Sequence, residues 1–155
     1  MCETIKIVAP HHMVMDRNDI FLNGINPHHY CLPILKKKLD KEALIDAAIS
    51  GKPNFFMGTD SAPHYKEQKL SSCGCAGIFN CPVAIELITD IFYKYNKLEN
   101  LEKFLSTNGC DFYNLPYNNK YICLKKEEWI VPKEYDEIVP LYSNRKIHWK
   151  IENTI

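Results

Sequence analysis

The sequence predicts an α/β fold with parallel strands, and three observations carry that expectation. Short, apolar, β-prone runs at 4–9 (T-I-K-I-V-A) and 55–57 (F-F-M) alternate with stretches of helical periodicity. Each run is cut off at once, by Pro10 and by Gly58. Each is then followed by polar residues: His11 and His12 after the first, and Thr59, Asp60 and Ser61 after the second. The carboxyl ends of parallel strands are where such folds keep their chemistry.

The elements follow in order. The first strand is expected at 4–9. Residues 13–26 hold Asp16, Arg17, Asn18, Asp19 and Gly24 and read as a loop. Pro27 and Pro33 bracket a piece expected to be extended. Asp40 is expected to cap a helix over 41–50, with Ala43, Leu44, Ala47, Ala48 and Ile49 as its apolar face and Gly51 as its stop. The buried strand 55–57 leads into a turn with Asp60 and His64. Pro63 between them argues against a helix, so both are expected on the rim of a pocket from one loop. The plainer reading makes Asp60 a cap of the next element and His64 a surface residue. A long loop over 65–79 carries the small residues of S-S-C-G-C-A-G, which let a backbone approach a ligand closely. Asn80 is expected to cap a helix running to about residue 95, with Pro82 near its start. A shorter helix over 99–106 is expected to close at Asn108-Gly109. Extended pieces follow at 121–124, 128–131 and 146–151, and Tyr113, Tyr117, Tyr121 and Trp129 read as core and interface aromatics.

Composition bounds the function. The 155 residues suffice for one domain, with 46% hydrophobic and 25% charged residues, the balance of a globular chain. Lys+Arg and Asp+Glu are both 19, so nothing points to nucleic acid or a membrane surface as partner. Seven cysteines, an odd count without a secretory leader, predict reduced thiols and a cytoplasmic setting. Cys73 and Cys75, with Cys81 and the histidines, suggest a small zinc-binding module. However, structural zinc sites favour two paired motifs and only one tight pair is present. A disulfide between Cys73 and Cys75 would be strained. His11-His12 could ligate a metal from a strand end, or simply order a loop.

The string G-T-D-S-A-P-H at 58–64, followed by S-S-C-G-C-A-G at 71–77, resembles the eighth-strand signature of the single-domain bacterial-type dihydroorotases of the amidohydrolase superfamily. P-H-H at 10–12, D-R-N at 16–18, P-H-H-Y-C-L-P-I-L-K at 27–36, N-G-C-D-F-Y-N-L-P at 108–116, V-P-L at 139–141 and H-W at 148–149 fit the same family's carboxyl-terminal part. The resemblance implies the last two strand–helix units of a (β/α)8 barrel at 1–117, with a C-terminal extension of short strands at 118–155. It implies reversible cyclisation of N-carbamoyl-L-aspartate to L-dihydroorotate, a small-molecule substrate, two zinc ions per complete site and a homodimer in the full-length enzyme. It assigns Asp60 as zinc ligand and general base, His64 to the substrate carboxylate, and the backbone of Leu32 and Ala76 to the pyrimidine ring. The family's first-strand H-x-H, its carboxylated lysine, its two later histidine ligands, and the arginine and asparagine that clamp the carboxylate have no counterpart here. His12 matches a histidine that is not a ligand. The chain is therefore expected to be a fragment or partial gene model, inactive alone, or else a non-catalytic domain that packs on a barrel partner.

Overall fold

The computed structural model describes residues 6–154; residues 4 and 5 of the first expected strand lie outside them. Strands β1 (Lys6–Val8) and β2 (Phe55–Met57) pair in parallel, with Ile7 opposite Phe56. A parallel pair needs a long crossover. Here helices α1 (Pro10–Val14) and α2 (Lys38–Ile49) provide it.

Several boundaries depart from the sequence expectation. Helix α2 begins three residues before residue 41. Asp40 is therefore not the cap but sits inside the first turn, where its carboxylate accepts a 3.0 Å bond from the Lys37 N–H. The 13–26 loop contains the end of α1 and a 3-10 turn, Arg17–Ile20, in which the Asp16 carboxylate accepts from the Asn18 N–H and Asp19 from the Asp16 N–H. The 27–33 piece opens with a 3-10 turn, Pro27–His29, rather than an extended run. Proline at the first position of a turn gives up only an N–H that would have had no partner. One helical turn, α3 (Lys66–Lys69), interrupts the 65–79 loop.

Helix α4 (Ala84–Lys94) follows a 3-10 turn at Cys81–Val83, close to expectation. Ala84, Leu87, Ile88 and Phe92 fall on one face and are buried. With Val8, Met13 and Phe104 on neighbouring elements, Ile88 and Phe92 form one of two apolar cores. The other gathers Leu35, Ile78, Val83, Leu87, Val131 and Leu141. Asn80 makes no side-chain cap to the helix; its amide turns inward instead.

The next helical stretch passes straight through Asn108-Gly109, the expected stop. It runs from a 3-10 turn at Leu98–Asn100 through a π-helical stretch at Lys103–Thr107 to α5 (Asn108–Tyr113), and ends at Asn114 in the left-handed region, φ +53°. Tertiary contacts outweigh the local signal. The Asn108 amide donates to the carbonyls of Lys52 and Phe55 at 3.0 and 2.9 Å. A Cβ at residue 109 would lie 3.3 Å from the Phe56 ring, so glycine lets the helix close on β2.

The expected pieces at 121–124 and 128–131 merge into one strand, β3 (Ile122–Ile130), which pairs antiparallel with β4 (Lys146–Thr154). The hairpin lies on α4 through an edge-on Tyr93–Trp149 contact at 5.5 Å and a 2.8 Å bond from Lys126 Nζ to the Tyr93 hydroxyl. Trp129 packs on the core, as expected. Tyr113, Tyr117 and Tyr121 are exposed, and Tyr113 stands edge-on to the buried Phe56 ring at 5.9 Å.

Among the described residues no third strand flanks β1 or β2, and Ile7, in β1, is half-exposed. Open parallel edges template association. The purified chain is expected to sediment as a concentration-dependent mixture, and Ile7→Lys to move the weight-average mass toward the 18.0 kDa monomer. A wild-type sample that stays monomeric up to tens of micromolar would contradict this.

Candidate active site at the ends of the parallel strands

The last residue of β1 is Val8 and that of β2 is Met57. The residues that follow both strands meet. His11 projects from the first turn of α1, fully buried, and its Nε2 lies 3.9 Å from Oδ2 of Asp60. Asp60 itself is exposed, with a left-handed backbone, φ +45°. Non-glycine residues hold such a conformation only where the surroundings fix it. The fixing is done by its neighbours. Ser61 Oγ accepts from the N–H groups of Asn80 and Cys81 at 3.1 and 3.2 Å, and Ala62 N–H donates to Ile78 O at 3.1 Å. Ser61, not Asp60, thus meets the amides of the next turn. Among the described residues the Asp60 carboxylate accepts no hydrogen bond.

The Asn80 amide decides the state of His11. Its Nδ2 donates to Thr59 O at 2.8 Å and lies 3.0 Å from His11 Nδ1. A carbonyl only accepts, so the group facing Thr59 must be the NH2. The same NH2 then donates to Nδ1, which leaves the proton on Nε2, the nitrogen turned toward Asp60. His11 is held neutral: burial, then the neighbouring His12, lower its pKa to about 4, against a smaller upward pull from Asp60. Burial also lowers His12.

The second half of the site is the 71–77 turn. His64 Nε2 lies 3.1 Å from Ala76 O, so it donates to that carbonyl. Gly77 N–H donates to Tyr30 O at 2.9 Å, which brings the segment carrying Leu32 against the segment carrying Ala76. Among the described residues no acceptor takes the N–H of Leu32 or of Ala76. Leu32 is largely exposed.

His11, His12 and Cys31 place ligand atoms within 4.8 Å of one another. Yet His11 Nδ1 is occupied by Asn80 and its Nε2 carries a proton, so it offers no lone pair. The Cys31 thiol donates to Pro33 O at 3.4 Å, and burial raises its pKa away from the thiolate. This trio does not fit a zinc site. Cys73 and Cys75 are free thiols and gather no third ligand among the described residues, so the zinc-module reading finds no donor set. Asp60 fits as one ligand of a metal, but a catalytic zinc takes about three protein ligands. The described residues do not hold two zinc ions by themselves. Asp60 lines neither of the two cavities that lie beside α2.

No protein-family model matches the chain. Sequence comparison finds the dihydroorotase of Acinetobacter baylyi, 48% identical over 148 residues that cover 92% of this chain and 43% of that protein. The mitochondrial dihydroorotase of Arabidopsis thaliana is 46% identical over 147 residues, 92% of this chain and 39% of its own length. The chain is a partial-length homologue of the dihydroorotases. It spans less than half the length of these relatives. Among solved structures, the dihydroorotase of Saccharomyces cerevisiae in complex with 5-fluoroorotic acid superposes with a TM-score of 0.85 at 33% identity over 96% of this chain and 43% of that one. The Campylobacter jejuni dihydroorotase gives 0.84 at 32% identity over 96% of this chain and 44% of its own. A D-hydantoinase from Thermus sp., at 14% identity and TM-score 0.75, shares the fold alone. The α/β arrangement seen here therefore corresponds to part of the amidohydrolase barrel. No helix among the described residues of this dihydroorotase homologue is long and apolar enough to cross a membrane.

Asp60 and His64 lie in the loop after β2 and Ala76 in the stretch after α3, the chain positions expected from the sequence. Sequence reasoning missed Asn80, read as a cap, and Lys69, read as one of several polar loop residues. Neither has a local signal, because burial by distant segments gives each its role.

The His11 shift predicts an acid instability. An unfolded histidine titrates near 6.5 and the folded one at about 4, so between these values the unfolded chain binds more protons. Stability should fall by up to about 3 kcal/mol as pH drops from 6.5 to 4. His12 and His28, also lowered by burial, add to the slope. Urea titrations across that range should show it, and His11→Gln should flatten it even where the variant is weaker at pH 7.

Proposed function

We propose that this chain supplies the last two strand–helix units of a dihydroorotase barrel, at 1–117, and a C-terminal extension, at 118–155. The whole enzyme interconverts N-carbamoyl-L-aspartate and L-dihydroorotate, and its natural setting is a cytoplasmic homodimer. One observation carries the reading: an exposed carboxylate without a hydrogen-bond partner, Asp60, stands just past the end of a parallel strand. From two residues later in the chain the same loop reaches the 71–78 segment through Ala62 and His64, and among the described residues no acceptor takes the Ala76 or Leu32 N–H.

Each residue has a task in this reading. Asp60, with ligands beyond this chain, would hold zinc, which lowers the pKa of water and polarises a carbonyl. In the hydrolytic direction the ring amide C–N bond breaks as water oxygen bonds to its carbonyl carbon. Asp60 takes the proton at a carboxylate oxygen and delivers it to the departing ring nitrogen. In cyclisation the same nitrogen gives its proton back and water leaves. The Leu32 and Ala76 peptide groups orient the ring, and rigid peptide donors do this at little entropic penalty. His64, already donating through Nε2 to Ala76, presents Nδ1 to the substrate carboxylate and pairs with it when protonated.

Co-expression with the missing amino-terminal half of a dihydroorotase barrel tests this. The assembled protein should hydrolyse dihydroorotate, lose activity to a zinc chelator and regain it with zinc. Asp60→Asn should lower kcat by about 10²–10⁴-fold. A folded, zinc-loaded assembly without turnover would overturn the proposal.

A further inference from the structure

Lys69 is among the most buried side chains in the molecule, 3% exposed, although it belongs to an otherwise polar turn, α3. No carboxylate pairs with it among the described residues. Its Nζ donates instead to three main-chain carbonyls: Cys75 O at 2.7 Å, Gly77 O at 2.8 Å and Tyr30 O at 2.9 Å. All three ammonium protons are used, and charge-assisted bonds of this kind are the strong ones. Tyr30 O also accepts from Gly77 N–H, so both bonds converge on one oxygen.

The backbone around this ammonium is bent to reach it. Gly74, Cys75 and Gly77 have φ of +69°, +21° and +153°. Cys75 is not a glycine, so its conformation is strained, and strain of this kind persists only where other contacts over-determine it. The turn has no strand ladder to hold its carbonyls. The ammonium takes the place of one, at the cost of burying a charge.

The location is what gives this weight. Cys75 and Gly77 flank Ala76, and Tyr30 lies two residues before Leu32. We propose that Lys69 is a positioning residue: its ammonium holds the 30–33 and 73–77 backbones at one separation, so that the free N–H groups of Leu32 and Ala76 form a preset edge for a small planar amide-bearing substrate. This rests on the reading above only for the identity of the substrate. A loop staple without that role could be replaced by apolar packing, whereas a pair of recognition donors must keep its spacing to within a fraction of an ångström.

The test uses two substitutions and two readouts. Lys69→Met keeps the stem and removes the donors; Lys69→Arg keeps a cation with several donors. In the chain itself, hydrogen exchange of the bonded Gly74 and Gly77 amides should quicken at least tenfold in Lys69→Met, while Val8, Phe56 and Ile88 exchange as in the wild type. Lys69→Arg should restore part of the protection. In the assembled enzyme, Lys69→Met should raise KM for dihydroorotate at least tenfold with a much smaller change in kcat, and Lys69→Arg should recover part of it. Unchanged exchange at Gly74 and Gly77 overturns the proposal. So does faster exchange throughout the core, which would make Lys69 a folding residue, and so does an unchanged KM in an active assembly. If the wild-type assembly is inactive, the functional reading fails. The exchange result then still decides whether Lys69 holds the two segments together, and binding of orotate to the chain, followed by amide shifts at Leu32 and Ala76, decides whether they form a binding edge.

Discussion

Asn80 reaches both strand ends with one buried amide. Its Nδ2 donates to Thr59 O after β2 and to His11 Nδ1 after β1, and its own N–H donates to Ser61 Oγ. Three stretches of chain, near residues 11, 60 and 80, are fixed relative to one another by these bonds. They also settle a proton. With Nδ1 accepting, the imidazole turns an N–H toward Asp60 and withholds its lone pair from any metal. The Asn80 carbonyl oxygen is buried with no partner among the described residues, so satisfying the other two groups has a desolvation penalty.

Much of the fold was legible because it is written in local pattern. The Phe55–Met57 strand, the spacing of Leu87, Ile88 and Phe92, and the proline before α4 need no tertiary information. The helix through Asn108 and Gly109 is the opposite case. Locally the pair is a stop; it becomes a continuation only because the amide of Asn108 finds two carbonyls near β2 and Gly109 fits under Phe56. The position of Asp60 just past a buried strand was legible; the pattern alone left open whether it caps the next element, and Ser61 makes those bonds instead. Lys69 was not legible, because a lysine in a polar tetrapeptide looks solvated until the segments that bury it are in place.

Charge is used differently in the two halves of the molecule. On the hairpin, Glu127 pairs with Lys125 and Lys150, and Glu128 with Lys146 and His148, all well exposed. Pairs of this kind contribute little to stability. The Asp16–Lys41 pair, at 3.0 Å and mostly covered, joins the start of the 3-10 turn to α2 and lowers the Asp16 pKa through that hydrogen bond. Around the strand ends the polar groups include the exposed Asp60 carboxylate beside His11, the neutral His11 imidazole and the buried Lys69 ammonium. These loops are held by polar bonds as well as by the apolar core that Cys31, Leu35 and Ile78 join.

Gly77 shows how little room that arrangement leaves. A Cβ at this position would sit 2.7 Å from both the Cβ and the carbonyl oxygen of Ala62 and 3.0 Å from the His64 ring. The turn and the loop after β2 are thus in contact through bare backbone. A larger residue at 77 would displace the loop that carries Asp60. Variation has freer scope at Leu32, which is 64% exposed.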